Sequence, residues 1–175
     1  LRRVGWDVEA KGLFGAPPVR VVIGDEAHAS VFSALQYLGF GAASLLRVAT
    51  DAQGVMRPEA FDAALSSDAA GDGPLIVVTQ AGQINTGAFD PHAHIVGRAH
   101  ARGAWVHVDG AFGLWARACP SRAGLADGVE RADSWATDGH KWLQTPFDCG
   151  YAIVRDAGAR AAGRVGLQPR HGELG

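Results

Sequence analysis

Five short apolar runs recur along the chain with helix-like stretches between them, and this alternation restricts the possible folds more than any other feature. Val19 to Ile23, Leu45 to Ala49, Leu75 to Val78, Trp105 to Val108 and Tyr151 to Val154 are nearly continuous in apolar residues, the pattern of strands buried on both faces. Such strands lie parallel and need helices on both sides, so the sequence predicts an α/β fold with a mostly parallel sheet. The intervening segments supply the helices. One is expected over Val31 to Leu38, and another from near Pro58 with Phe61, Ala64 and Leu65 on one side. A third opens at Asp90-Pro91, with Asp90 as cap, Pro91 at the first helical position and Gly103 as the stop. Its inward stripe is Ile95, Val96 and Ala99, and Gly71-Asp72-Gly73-Pro74 reads as a turn before the third strand.

Composition narrows the partners. With 175 residues, 47% of them hydrophobic and 19% charged, the chain can build one real core. A net charge of −2 without any basic block offers nothing to nucleic acid or to an anionic membrane, which leaves a small molecule. No apolar run reaches the ~18 residues that span a bilayer, and Leu1-Arg2-Arg3-Val4-Gly5 lacks the apolar centre of a secretion signal, so the cytoplasm is the expected compartment. Cys119 and Cys149 are too few for a disulfide scaffold or a zinc site and read as small apolar side chains. His92 and His94, two apart on a helix, point to different sides; they read as surface residues, and no metal is expected. The chain opens on leucine and its single methionine, Met56, lies well inside, so a partial sequence is expected.

In parallel sheets a ligand sits beyond the carboxyl ends of the strands. Gly24 to Ser30, Thr79 to Gly87 and Asp109-Gly110-Ala111 follow three of the strands and should open onto one cleft. A lone aspartate after a strand is ordinarily a cap or turn residue, and a lone lysine is ordinarily solvated. Here Asp109 ends an apolar strand, and 32 residues later Lys141 stands in Gly139-His140-Lys141-Trp142. A carboxylate able to keep a ring nitrogen protonated, and an amine able to form a Schiff base, are the two groups a pyridoxal phosphate enzyme needs. Gly110 and Gly113 make no dinucleotide fingerprint. Trp105, Trp115, Trp135 and Trp142 read as core or subunit contact.

The motifs Glu26-Ala27-His28-Ala29-Ser30, Asn85-Thr86-Gly87-Ala88-Phe89-Asp90, His107-Val108-Asp109-Gly110-Ala111 and His140-Lys141-Trp142, the last continuing through Pro146 and Asp148 to Gly150, occur in one order. In these, from about Val21 to Asp156, the chain resembles the pyridoxal phosphate-dependent group II amino acid decarboxylases, the aromatic amino acid, glutamate, histidine and tyrosine decarboxylase-like enzymes. The resemblance implies a carboxy-lyase that converts an amino acid to an amine and carbon dioxide. It also implies that residues 1–175 are the central part of the large domain of an aspartate aminotransferase-like (type I) enzyme, without the N-terminal phosphate cup and the C-terminal small domain.

Residue by residue, Lys141 matches the lysine that carries pyridoxal 5'-phosphate as a Schiff base, and Asp109 the carboxylate that pairs with the pyridine nitrogen. Ala111 matches the small residue on one cofactor face, His28 the histidine stacked on the other, and His140 the histidine near the phosphate. Thr86 joins the cofactor-binding set, and Lys141, Asp109 and His28 form the catalytic set. The resemblance further implies a homodimer with its active site at the interface. Ile84 stands where some members carry threonine, and Asp138 where some carry a serine facing the phosphate. An acid would repel a phosphate, so Asp138 is left out of the binding set. The alternatives are another type I enzyme such as a cysteine desulfurase, which needs a reactive cysteine downstream where none follows Cys149, or an inactive truncated domain. Which amino acid is the substrate depends on pocket shape and on neighbouring-subunit loops, which a sequence does not display.

Overall fold

All five expected strands form, and a sixth joins them. The structure, a computed structural model, describes residues 1–158; the remainder of the expected 1–175 domain piece lies outside the described residues. The strands are β1 (Arg20–Gly24), β2 (Leu45–Val48), β3 (Leu75–Gln80), β4 (Trp105–Asp109), β5 (Ser134–Asp138) and β6 (Gly150–Val154), in the order β2-β1-β3-β4-β5-β6. The first five run parallel, and β6 returns antiparallel along β5. Strand order reverses between β1 and β3, which places a crevice at their carboxyl ends. The strand that the apolar runs did not reveal is β5. Its Ser134 and Thr137 are polar yet buried, because β4 and β6 flank it on both sides.

The helices are α1 (Val8–Lys11), α2 (Ala29–Tyr37), α3 (Pro58–Ser66) and α4 (His92–Ala101). One sheet face is covered by α3 and α4, whose Phe61, Leu65, Ile95, Val96 and Ala99 pack on Val22, Val77, Val106 and Val108. On the other face α2 covers only part of the sheet, through Leu35 against Val21, Ile23 and Val78. Helices therefore lie on both faces, as expected, but unevenly: Ile76, Trp105 and His107 stay half-buried beside an open cleft. Among the described residues no helix is long and apolar enough to cross a membrane.

Three local expectations are corrected. Asp90 does not cap α4, which starts at His92 with Pro91 as its N-cap and no capping side chain. Its carboxylate is buried and accepts from Met56 N (2.8 Å), Gln80 N (2.7 Å) and Thr79 Oγ1 (3.0 Å), so donors from distant segments outbid the adjacent helix. His92 is not a surface residue: it is 1% exposed, and burial pushes its imidazole down to about 4. Because the Thr79 hydroxyl donates to Asp90, His92 Nδ1–H donates to Thr79 Oγ1 (3.2 Å), and Nε2 has no partner among the described residues. His94 does reach the surface, 3.1 Å from Asp62. Cys119 is exposed rather than apolar filling, and both cysteines are free.

Candidate active site

One face of β3, β4 and β5, with α2 and the residues just beyond those strands, surrounds a cleft of about 780 Å³, within the range of small-molecule sites. Of the six residues singled out from the sequence, His28, Asp109, Ala111, His140 and Lys141 line this cleft. Thr86 stands outside the lining. Its hydroxyl donates to Gln53 O (2.7 Å) and accepts from Ala88 N (3.2 Å), which fastens the turn after β3.

The alternation of β4 accounts for Asp109. Val106 and Val108 enter the core, so Trp105, His107 and Asp109 project to the cleft side. Asp109 Oδ1 accepts from Ala111 N (3.1 Å), which holds the carboxylate at the strand end and leaves Oδ2 without a protein partner among the described residues. The turn beyond it is tight. Gly113 N donates to Ala81 O (2.9 Å), and a Cβ at Gly113 would lie 2.5 Å from that same oxygen, so only glycine lets the loops after β3 and β4 meet.

Behind Asp109, Trp105 Nε1 donates to Ser134 Oγ (2.8 Å), and that hydroxyl also lies 2.8 Å from His107 Nδ1. Burial pushes His107 below its ordinary range, and the charge of Asp109 opposes the shift. His28 is the N-cap of α2. Its Nδ1 accepts from Ser30 N (3.3 Å) and lies 2.7 Å from Ser30 Oγ, which puts the ring proton on Nε2.

Lys141 sits in the loop that joins β5 to β6. Gly139 N donates to Cys149 O (2.8 Å) and Thr145 N to Gly139 O (3.1 Å), closing the loop on itself. A Cβ at Gly139 would lie 2.7 Å from Thr145 Oγ1 and 2.8 Å from the Tyr151 ring, so the closure requires glycine there. His140 Nδ1 is 3.0 Å from Cys149 O and must be the donor, because a carbonyl only accepts. Lys141 Nζ lies 2.7 Å from Asp138 Oδ2 and 4.0 Å from the centre of the Phe112 ring.

Sequence reasoning missed Gln80, His107 and Phe112 among the lining residues and set Asp138 aside. His107 was within reach, being two residues before Asp109 on a strand. Lys141 had a further signal: the chain contains only one other lysine, Lys11, and all remaining basic side chains are arginine. Among the described residues no group of His, Cys, Asp and Glu is gathered for a metal ion.

Comparison with known proteins adds an independent line. Residues 13–162 match the family model described as the pyridoxal-dependent decarboxylase conserved domain. Cysteine sulfinic acid decarboxylase of Rattus norvegicus is 34% identical over 151 residues, which cover 86% of this chain and 31% of that protein. Tryptophan decarboxylase 1 of Oryza sativa subsp. japonica is 34% identical over 174 residues, covering 98% and 33%. The crystal structure of mouse CSAD superposes with a TM-score of 0.81 at 31% identity, over 89% of this chain and 33% of that one. The chain thus spans about a third of the length of the curated relatives it matches.

Proposed function

The chain belongs to the pyridoxal-dependent decarboxylase family, and from that premise we propose that it is the cofactor-holding part of an enzyme that removes the α-carboxylate of an amino acid to give an amine and carbon dioxide. One observation carries the reading: Asp109 and Lys141, at and just beyond the ends of neighbouring strands, line the same cleft as His28, Ala111 and His140.

This donor set fits pyridoxal phosphate: an amine for covalent attachment, a carboxylate for a ring nitrogen, imidazoles for a ring face and an anion, and a methyl-sized side chain at position 111. When bound, the cofactor supplies a protonated ring into which the electrons of the breaking Cα–carboxylate bond are drawn. Asp109 Oδ2 is the atom available to hold a ring N–H, and each unit by which a carboxylate raises a ring pKa is about 1.4 kcal/mol in favour of the protonated form. Lys141 provides the covalent anchor through Nζ. Ala111 is short enough to admit a flat ring, and His28 is the imidazole for its other face. His140, with Nδ1–H committed to Cys149 O, meets an anion through Nε2 once that atom is protonated. Lys141 at Nζ and His28 at Nε2 carry the transferable protons for the product-forming step. Leu35, Phe40, Ile84 and Phe112 give the cleft apolar walls.

The same reading makes the chain part of a large cofactor domain, with the phosphate cup and small domain contributed by sequence outside it, in keeping with its share of its relatives' length. Thr86 then acts through the turn after β3. A cytoplasmic homodimer completes the reading. Trp142 (68% exposed) and Phe147 (82%) in the lysine loop, with Tyr151 and Ile153 on the edge strand β6, form an apolar surface suited to a second subunit. The free thiols of Cys119 and Cys149 accord with a reducing compartment.

The test uses the protein at its full natural length. The visible absorption of a lysine-bound cofactor is measured, and then amines and carbon dioxide released from a panel of amino acids. Absorption and release that both vanish in Lys141→Ala support the reading; persistence of the absorption in that variant contradicts it.

A further inference from the structure

Asp138 has no role in the chemistry assigned above. It ends β5 and lines the cleft, and its Oδ2 lies 2.7 Å from Lys141 Nζ and 3.8 Å from His140 Nε2. The Asp138 and Lys141 side chains are 30% and 23% exposed, so water screens the pair only partly. Among the described residues no other carboxylate pairs with this amine, although Asp109 lines the same cleft. The amine's second contact is the Phe112 ring face. Nζ is therefore held between an anion and an aromatic ring, both of which attract an ammonium group.

We propose that Asp138 is a positioning residue that latches Lys141: in the cofactor-free protein it holds the amine at the end of β5, and the pair must open before Nζ can bond to an aldehyde. The inference rests on Lys141 being the residue that bonds the cofactor. Attack on a carbonyl needs the nitrogen lone pair, which a proton directed at Asp138 Oδ2 occupies. Attachment therefore begins when the ammonium leaves Asp138 and gives one proton to solvent. The C–N bond then forms, and the carbonyl oxygen departs as water with the two remaining amine hydrogens, leaving a C=N bond. No oxidant or reductant is required. A neutral side chain at position 138 removes the latch and speeds this sequence.

The competing idea is that Asp138 acts on the cofactor's phosphate by repulsion. Pyridoxal, which has the same aldehyde and no phosphate, separates the two. Cofactor-free protein of full natural length is mixed with pyridoxal or with pyridoxal phosphate. The rate of attachment is followed by absorbance, and the bond is reduced with borohydride and mapped to the lysine that carries it. The latch predicts that Asp138→Asn and Asp138→Ser each accelerate both aldehydes by one common factor of about fivefold, the scale of a partly exposed ion pair, and that Asp138→Glu keeps the slow rate. Unchanged or slower rates with both aldehydes overturn it, and so does acceleration confined to pyridoxal phosphate. Label on Lys141 with unchanged rates overturns the latch alone, whereas label absent from Lys141 in the unsubstituted protein overturns the latch together with the reading beneath it.

Discussion

Two polar clusters lie near the carboxyl end of β3, and they have opposite fates. On the α4 side, Asp90, Thr79 and His92 are sealed: Asp90 accepts from three protein donors, and His92 is almost wholly buried. On the cleft side, among the described residues, Asp109 accepts from one backbone amide, and Lys141 has a single carboxylate partner. The residue types are similar, but bonding capacity in the first cluster is spent on holding segments together, while in the second it is left facing a cavity. Aspartate and histidine in a motif do not mark chemistry by themselves; unspent bonding capacity beside open volume does.

Substitutions can break this contrast. The largest effect is expected at Asp90→Ala, which leaves the Met56 and Gln80 amides buried without acceptors and costs about 4 kcal/mol of stability. Denaturant unfolding measures it, and a loss under 1 kcal/mol would mean the sealed cluster is not structural. Asp109→Asn should do the reverse: stability within about 0.5 kcal/mol of the unsubstituted protein, with the rate of carbon dioxide release down about a hundredfold, or about 2.7 kcal/mol in barrier. Equal damage to stability and rate would erase the distinction between the clusters.

His92 supplies a pH signature. Its imidazole, near 6.5 when unfolded, is held down to about 4 when folded, so between those values the unfolded chain binds more protons and stability falls as pH drops from about 6.5 toward 4. The whole window amounts to about 3 kcal/mol at most. Asp90, whose carboxyl burial raises, works in the opposite sense at the acid end, so the measured quantity is the difference between the unsubstituted protein and His92→Phe, which should lose this slope. Parallel pH profiles would sink the assignment. The smallest effect belongs to Arg98→Ala. Its partner Asp62 also meets His94 and is partly exposed, and the change should stay within about 0.5 kcal/mol in thermal unfolding.

The sequence displayed the sheet and half of this contrast. Buried parallel strands announce themselves as apolar runs, which is why β1 to β4 were legible; β6 carries a similar apolar run although it is antiparallel and mostly exposed, and β5 was not legible, because Ser134 and Thr137 are buried by their neighbours and not by any local pattern. The placing of Asp109 and Lys141 on one cleft was legible because a strand end and a glycine-flanked loop position them locally. Asp90 was misread as a cap because Asp-Pro is a local helix-start signal, while the donors that claim it come from Met56, Thr79 and Gln80. Asp138 was set aside for its effect on a phosphate, although its partner in the fold is the amine three residues on.

The central claim is that Lys141 is the covalent anchor in a cleft it shares with Asp109. Its most direct measurement is borohydride reduction of the full-length protein after exposure to pyridoxal phosphate, followed by peptide mapping. The account predicts a label on Lys141, none on Lys11, and none anywhere in the cleft of Lys141→Ala. A protein that decarboxylates amino acids with Lys141 unlabelled, or that keeps its bound chromophore after Lys141→Ala, would contradict it.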